Sequence, residues 1–156
     1  MERGELKSPD EIVKYVLAGK AIFTLQNERT GNRITYKVSK KKIDIQEVLL
    51  GTERYEDLWF VSFLNGADNW MNYRYLGLIN SNHEFKTTAK SPKEGMALNA
   101  FKWFWRMRGV FGASGIENVH FYHEGRCGRC GRRLTVPESI KSGYGPECIN
   151  KVGGMK

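Results

Sequence analysis

The chain has 156 residues and three cysteines, and all three lie near its C-terminus as Cys127, Cys130 and Cys148, with His123 just before them. Two residues separate Cys127 from Cys130, so one tight turn can aim both sulfurs at a single ion. Gly131 follows directly, where a knuckle of this kind needs positive φ and close approach of backbone N–H groups to the thiolates. Cys148 is the third sulfur. His123 is the expected fourth ligand, because a short lead into the Cys-x-x-Cys turn lets its ring fold back onto the ion; His120 is the alternative. A tetrahedral Cys₃His shell around one Zn²⁺ has no open corner, so this chemistry holds structure and does not turn over a substrate. Ordinary thiols are the competing reading, but residues 1–126 contain no cysteine at all. A Cys127–Cys130 disulfide would be strained and would leave Cys148 unpaired.

Other chemistries lack their residues. A zinc deaminase needs His-x-Glu before Pro-Cys-x-x-Cys, whereas His123 is followed directly by Glu124 and the third cysteine comes after the pair. There is no Walker-type glycine loop and no Gly-x-Ser-x-Gly elbow. The sequence therefore reads as that of a protein without catalytic activity.

Elements that must carry these ligands can be read from the periodicity. Ser8-Pro9-Asp10-Glu11 is a helix start, with a cap, a proline at the first position and acids at the positive dipole end. Ile12, Val13, Val16 and Leu17 follow at helical spacing, and Gly19 supplies a stop. Period-two stretches around Ala21–Gln26 and Arg33–Val38 flank Thr30-Gly31-Asn32 as a hairpin. Residues 43–56 read as an acidic connector. Strands are expected at Leu58–Leu64, Trp70–Ile79 and His83–Thr88, giving an antiparallel sheet of about five strands. A second helix should run from Lys93 to Phe111, with Ala97, Ala100, Phe101, Phe104, Met107 and Phe111 facing the core. Trp103 and Trp105 lie off that stripe, which suggests a helix covered on more than one side. The expected class is α+β: this sheet with two helices over residues 1–115, and a C-terminal zinc-ribbon or knuckle unit over 116–156.

Within that unit, Cys127-Gly-Arg-Cys130-Gly-Arg-Arg-Leu134-Thr135 leads through Pro137-Glu-Ser139 to Gly143-Tyr-Gly145-Pro146-Glu-Cys148. This run resembles a small zinc-ribbon family of uncharacterised function, met mostly in proteins of bacteriophages and mobile elements. The resemblance covers residues 120–149 and implies metal binding through Cys127, Cys130, Cys148 and His123. It implies no reaction.

Charge points to the partner. The formal net charge is +8, and it is zoned. Arg33, Lys37, Lys40, Lys41 and Lys42 crowd the hairpin, and Arg126, Arg129, Arg132 and Arg133 surround the knuckle. Asp44, Glu47, Glu53, Glu56, Asp57 and Asp68 form one acidic stretch between. A basic knuckle whose N–H groups point at sulfur should turn its arginines outward to phosphates, and Tyr36, Trp70 or Tyr73 could stack on unpaired bases. DNA or RNA is thus the expected partner. The alternative is a host protein or nucleoprotein complex, as for a phage-type inhibitor or adaptor acting on a host defence nuclease. No apolar run approaches a membrane span and no signal peptide is evident; thiolate ligands fit a reducing cytoplasm, that of a bacterial host.

Overall fold

Ser8 starts the first helix, α1 (Pro9–Val16), as its sequence requires: its Oγ accepts the Glu11 N–H at 3.1 Å, and Pro9 occupies the first turn. The computed structural model describes residues 3–44, 55–65, 72–111 and 118–153. Residues 45–54 of the acidic connector, Trp70, and the side chains of Lys42, Asp44 and Glu56 lie outside the described residues; the two ends of the connector are strand, with Ile43 paired to Glu56 and Asp44 to Tyr55.

The hairpin signal is realised as β2 (Lys20–Asn27) and β3 (Arg33–Asp44), paired antiparallel from Lys20↔Ser39 to Gln26↔Arg33. Asn27 closes its turn by accepting the Arg29 N–H on its side-chain oxygen at 2.9 Å. Next come β4 (Tyr55–Leu64), β5 (Tyr73–Ile79) and the two-residue β6 (Phe85–Lys86). The second helix, α2 (Met96–Met107), is shorter than its sequence suggested. It begins at Gly95 without a side-chain cap and ends in a 3₁₀ turn at Arg108–Val110.

Two strands escaped the sequence reading. β1 (Gly4–Leu6) and β7 (Val119–His123) extend the sheet to seven strands, in the order β1-β7-β2-β3-β4-β5-β6, all pairs antiparallel. β7, which falls inside the segment read as a C-terminal zinc unit, is therefore an interior strand of the main sheet. β7 pairs with β2 along Phe23↔His123 to Asn27↔Val119, and with β1 along Gly4↔His123 to Leu6↔Phe121. Both open edges are very short strands, which limits edge-to-edge pairing with other chains.

One face of the sheet carries the core. Ala21, Phe23, Tyr36, Val38, Val61 and Phe121 are fully buried there, and the helices contribute Tyr15, Phe101 and Phe104. Phe23 stacks on Phe121 with ring centroids 4.6 Å apart, and Phe104 lies 5.8 Å from Phe23. Tyr36 donates its hydroxyl to the Ala97 carbonyl at 2.7 Å, which fastens α2 to β3. This buries a tyrosine that the sequence had offered for base stacking. Leu98 and Trp105 join Phe101 and Phe104 on the buried stripe, whereas Asn99, Lys102 and Arg106 form the exposed strip. Trp105 is covered because it lies over Phe101 and donates Nε1–H to the His83 carbonyl at 2.8 Å. Leu134, Tyr144, Cys148 and Val152 from the C-terminal segment belong to the same hydrophobic cluster. Among the described residues no helix is long and apolar enough to cross a membrane.

Candidate metal centre

The Cys-x-x-Cys turn is built by short-range hydrogen bonds. Gly131 N donates to the Cys127 carbonyl at 2.9 Å, Cys127 N to the Arg132 carbonyl at 2.8 Å, and Leu134 N to the Gly125 carbonyl at 2.8 Å. Gly131 takes φ +80°, the positive value that this turn demands. An isolated antiparallel bridge, Arg126↔Arg133, closes the base of the turn. The chain then forms α3 (Pro137–Ser142) and α4 (Cys148–Gly153), the second of which opens on the third cysteine.

The result is a cluster of three sulfurs. Cys127, Cys130 and Cys148 present Sγ atoms that all lie within 4.8 Å of one another. Cys127 and Cys148 are buried and Cys130 is half-buried; all three are free thiols. Sulfurs bound to one tetrahedral zinc at about 2.3 Å stand about 3.8 Å apart, a spacing within the bound this cluster sets.

The electrostatics fit a cation. Burial pushes the Cys127 thiol up, but the backbone N–H groups of Cys130, Gly145 and Arg129 reverse this and hold it below its ordinary value. Cys148 is pushed up by burial and by its neighbours Cys127 and Cys130, while the Arg129 side chain pulls the other way. Three adjacent thiols cannot all ionise at neutral pH without a countercharge, and a divalent cation supplies it. These residues can hold a metal ion through three thiolates.

The two histidines lie elsewhere. His123 is fully buried on the core face of β7, where strand pairing with Gly4 and Phe23 fixes its backbone. Its Nε2 hydrogen-bonds the Ile140 carbonyl and its Nδ1 accepts the Gly125 N–H at 3.0 Å. With both ring nitrogens engaged, His123 does not join the sulfur cluster and instead ties β7 to α3. Burial lowers its pKa, so the ring is neutral, the form that both bonds use. The fourth corner is thus supplied by no Cys, His, Asp or Glu among the described residues.

His120 points to the opposite face. Its Nδ1 lies 2.6 Å from Glu5 and its Nε2 2.9 Å from Glu28, a tie between β1, β7 and the hairpin turn. Hydrogen bonds to Glu5 and Glu28 raise its pKa. A histidine whose pKa rises on folding adds stability that is fully present below its unfolded value, about 6.5, and is lost as pH climbs through the folded value. Melting temperature should therefore fall as pH rises from 6.5 into the weakly alkaline range, as calorimetry would show. His120→Asn should flatten that part of the profile; an unchanged profile would dismiss the tie.

The four knuckle arginines divide into two pairs. Arg132 and Arg133 are exposed, as anticipated. Arg126 and Arg129 turn inward, because the Gly131 carbonyl and the Cys148 sulfur accept from them. Arg126 donates to the Gly131 carbonyl at 3.0 Å, and Arg129 Nη1 lies 3.7 Å from Cys148 Sγ. In the hairpin, Arg33, Lys37, Lys40 and Lys41 are exposed, and Lys40 pairs with Asp57 at 3.6 Å.

Sequence reading also missed Tyr15, the residue that joins the knuckle to the rest of the fold. Its hydroxyl lies 2.8 Å from the Arg126 carbonyl and 3.2 Å from that of Ile22, and its ring meets Phe121, His123 and Tyr144. Gly128 packs flat on that ring: a Cβ there would approach to 2.6 Å. The Gly128 carbonyl also accepts the Lys20 N–H at 2.7 Å. Tyr15 carried a helix-face signal in the sequence, but the Arg126 carbonyl it meets lies 111 residues away.

Neither the curated proteins nor the solved structures contain a match to the chain. The segment that holds the three thiols, residues 118–153, is similar to a family of unknown function (DUF6011).

Proposed function

We propose that the protein is a zinc-stapled, non-catalytic nucleic-acid-binding protein. One observation carries this reading: Arg33, Lys37, Lys41, Arg132 and Arg133 are exposed and make no ion pair among the described residues. Cations kept clear of intramolecular acids are available to phosphates, whose neutralisation releases counterions and drives binding. The thiolate set favours zinc over harder ions. Three thiolates also donate charge to the ion and damp its Lewis acidity, which suits a structural role better than activation of water. The phage-type resemblance of residues 120–149 supports an accessory role of this kind in a bacterial host cell.

Anisotropy titrations with labelled DNA and RNA across a salt series test the reading. The logarithm of the binding constant should fall steeply with the logarithm of salt, by about 0.7 per single-strand phosphate neutralised. A flat response, or no binding in low salt, overturns it and favours a protein-directed adaptor instead. Zinc is tested separately, by metal content after purification without added metal.

A further inference from the structure

We infer that the helix-free face of the sheet is a trough for single-stranded nucleic acid, in which Lys37, Lys41 and Arg33 meet phosphates beside stacking surfaces on Tyr73 and Phe60. This rests on the nucleic-acid reading above and gives it a place.

Strand register defines the face. Gln26↔Arg33, Thr24↔Thr35 and Ile22↔Lys37 are cross-strand pairs, as are Thr24↔Tyr122, Lys37↔Ser62 and Leu64↔Tyr73. These alternate with the core pairs Phe23↔Tyr36 and Val38↔Val61, so they point to the opposite side. The contacts of α1, α2 and α3 with the sheet run instead to core-face residues such as Phe121, Phe23, Tyr36 and His123.

On this face cations and aromatic rings are set side by side, and the arrangement repeats. Lys37 Nζ lies 5.4 Å from the Tyr73 ring centroid, and Lys41 Nζ lies 5.6 Å from that of Phe60. Both lysines are exposed and both rings half-exposed. Four residues separate Lys37 from Lys41 along β3, about 13 Å, a distance that a few nucleotides of an extended strand cover. A base stacked on either ring places its phosphate near the adjacent ammonium.

A cleft of 1360 Å³ joins Arg33, Lys37 and Tyr73 of this face to the start of α2 at Gly95–Leu98, so it continues the face towards the helix. Its acids are Glu94 and Glu124, and Arg3 already lies 3.5 Å from Glu124. Four basic residues, Arg3 and Arg126 included, thus face two acids, and the balance is attractive to phosphate. Half-exposed rings on a sheet favour unpaired bases, since paired bases hide their faces in the stack.

Anisotropy with labelled oligo-dT, oligo-rU and a duplex of the same length tests this. Single strands should bind more tightly than duplex, and the dT and rU arms report which sugar is preferred. Tyr73→Ala should weaken single-strand binding about tenfold, within the range for one stacked base. Tyr73→Phe should bind as the native chain does, which separates stacking from a fold defect. Lys37→Ala should lower the salt slope by about one. Tighter binding to duplex overturns the trough. So does native-like binding by Tyr73→Ala and Lys37→Ala while an Arg132→Ala/Arg133→Ala variant loses affinity; that outcome moves the site to the knuckle and leaves the broader reading standing. Failure of the native chain to bind any probe overturns both.

Discussion

Cys127→Ser is expected to abolish stoichiometric zinc binding and to melt the C-terminal segment while leaving most of the sheet folded. Cys127 is the most deeply placed of the three thiols, with no exposed surface, and nearby backbone N–H groups favour its thiolate. A serine hydroxyl is a poor ligand for zinc and would leave those donors underused. Structural zinc sites in small units contribute on the order of 10 kcal/mol to folding, more than the few hydrogen bonds through Tyr15, Lys20 and His123 and the shared cluster are expected to supply to the knuckle, α3 and α4. Hydrogen exchange reads out the extent. Amides at Gly128, Gly131, Leu134 and Gly143 should lose protection, because each is bonded within or across the knuckle. The Lys20 amide should follow, since its acceptor is the Gly128 carbonyl. β7 should keep its protection, held as it is between β1 and β2. A chelator acting on the native chain should give the same pattern. Unchanged exchange at Gly128 and Leu134 in both experiments would mean that the sulfurs do not staple this segment.

That expected boundary, after β7 and not before it, shows how far the sequence could be read. Local signals were legible because they act over a few residues: the Ser8 cap, the Thr30-Gly31-Asn32 turn and the Cys127-x-x-Cys130 spacing all appear where they were expected. β1 was not, because three residues cannot establish a period. β7 was not, because Val119-His-Phe-Tyr-His123 carries polar residues on both faces, each satisfied by a partner distant in sequence. The same cause misdirected the fourth ligand. Four residues of separation from Cys127 make His123 a natural candidate, but strand pairing turns its ring into the core before the knuckle begins. Two of the four knuckle arginines likewise answer to groups that only the folded turn exposes, the Gly131 carbonyl and the Cys148 sulfur. The cation–aromatic pairs of β3 depend on register across three strands, so composition alone gave the charge without its arrangement.

Tyr15 tests whether the knuckle and the sheet share one core. Tyr15→Ala is expected to destabilise the protein by about 3–5 kcal/mol, the usual cost of truncating a fully buried aromatic ring. Its ring fills the space between Phe121, His123 and Tyr144, and Gly128 and Gly143 have no side chains with which to close the gap. Tyr15→Phe isolates the second function of the residue. It keeps the ring but removes the hydroxyl that meets the Arg126 carbonyl, one residue before Cys127. That loss should cost about 1 kcal/mol, read as a shift in the midpoint of denaturant unfolding with an unchanged slope. Zinc affinity separates the two contributions further. Tyr15→Ala should weaken it, because the cavity lets the knuckle relax away from Cys148, whereas Tyr15→Phe should change it little. If Tyr15→Ala unfolds at nearly the native midpoint, the ring does not couple the two regions, and the metal alone must hold the knuckle against the sheet.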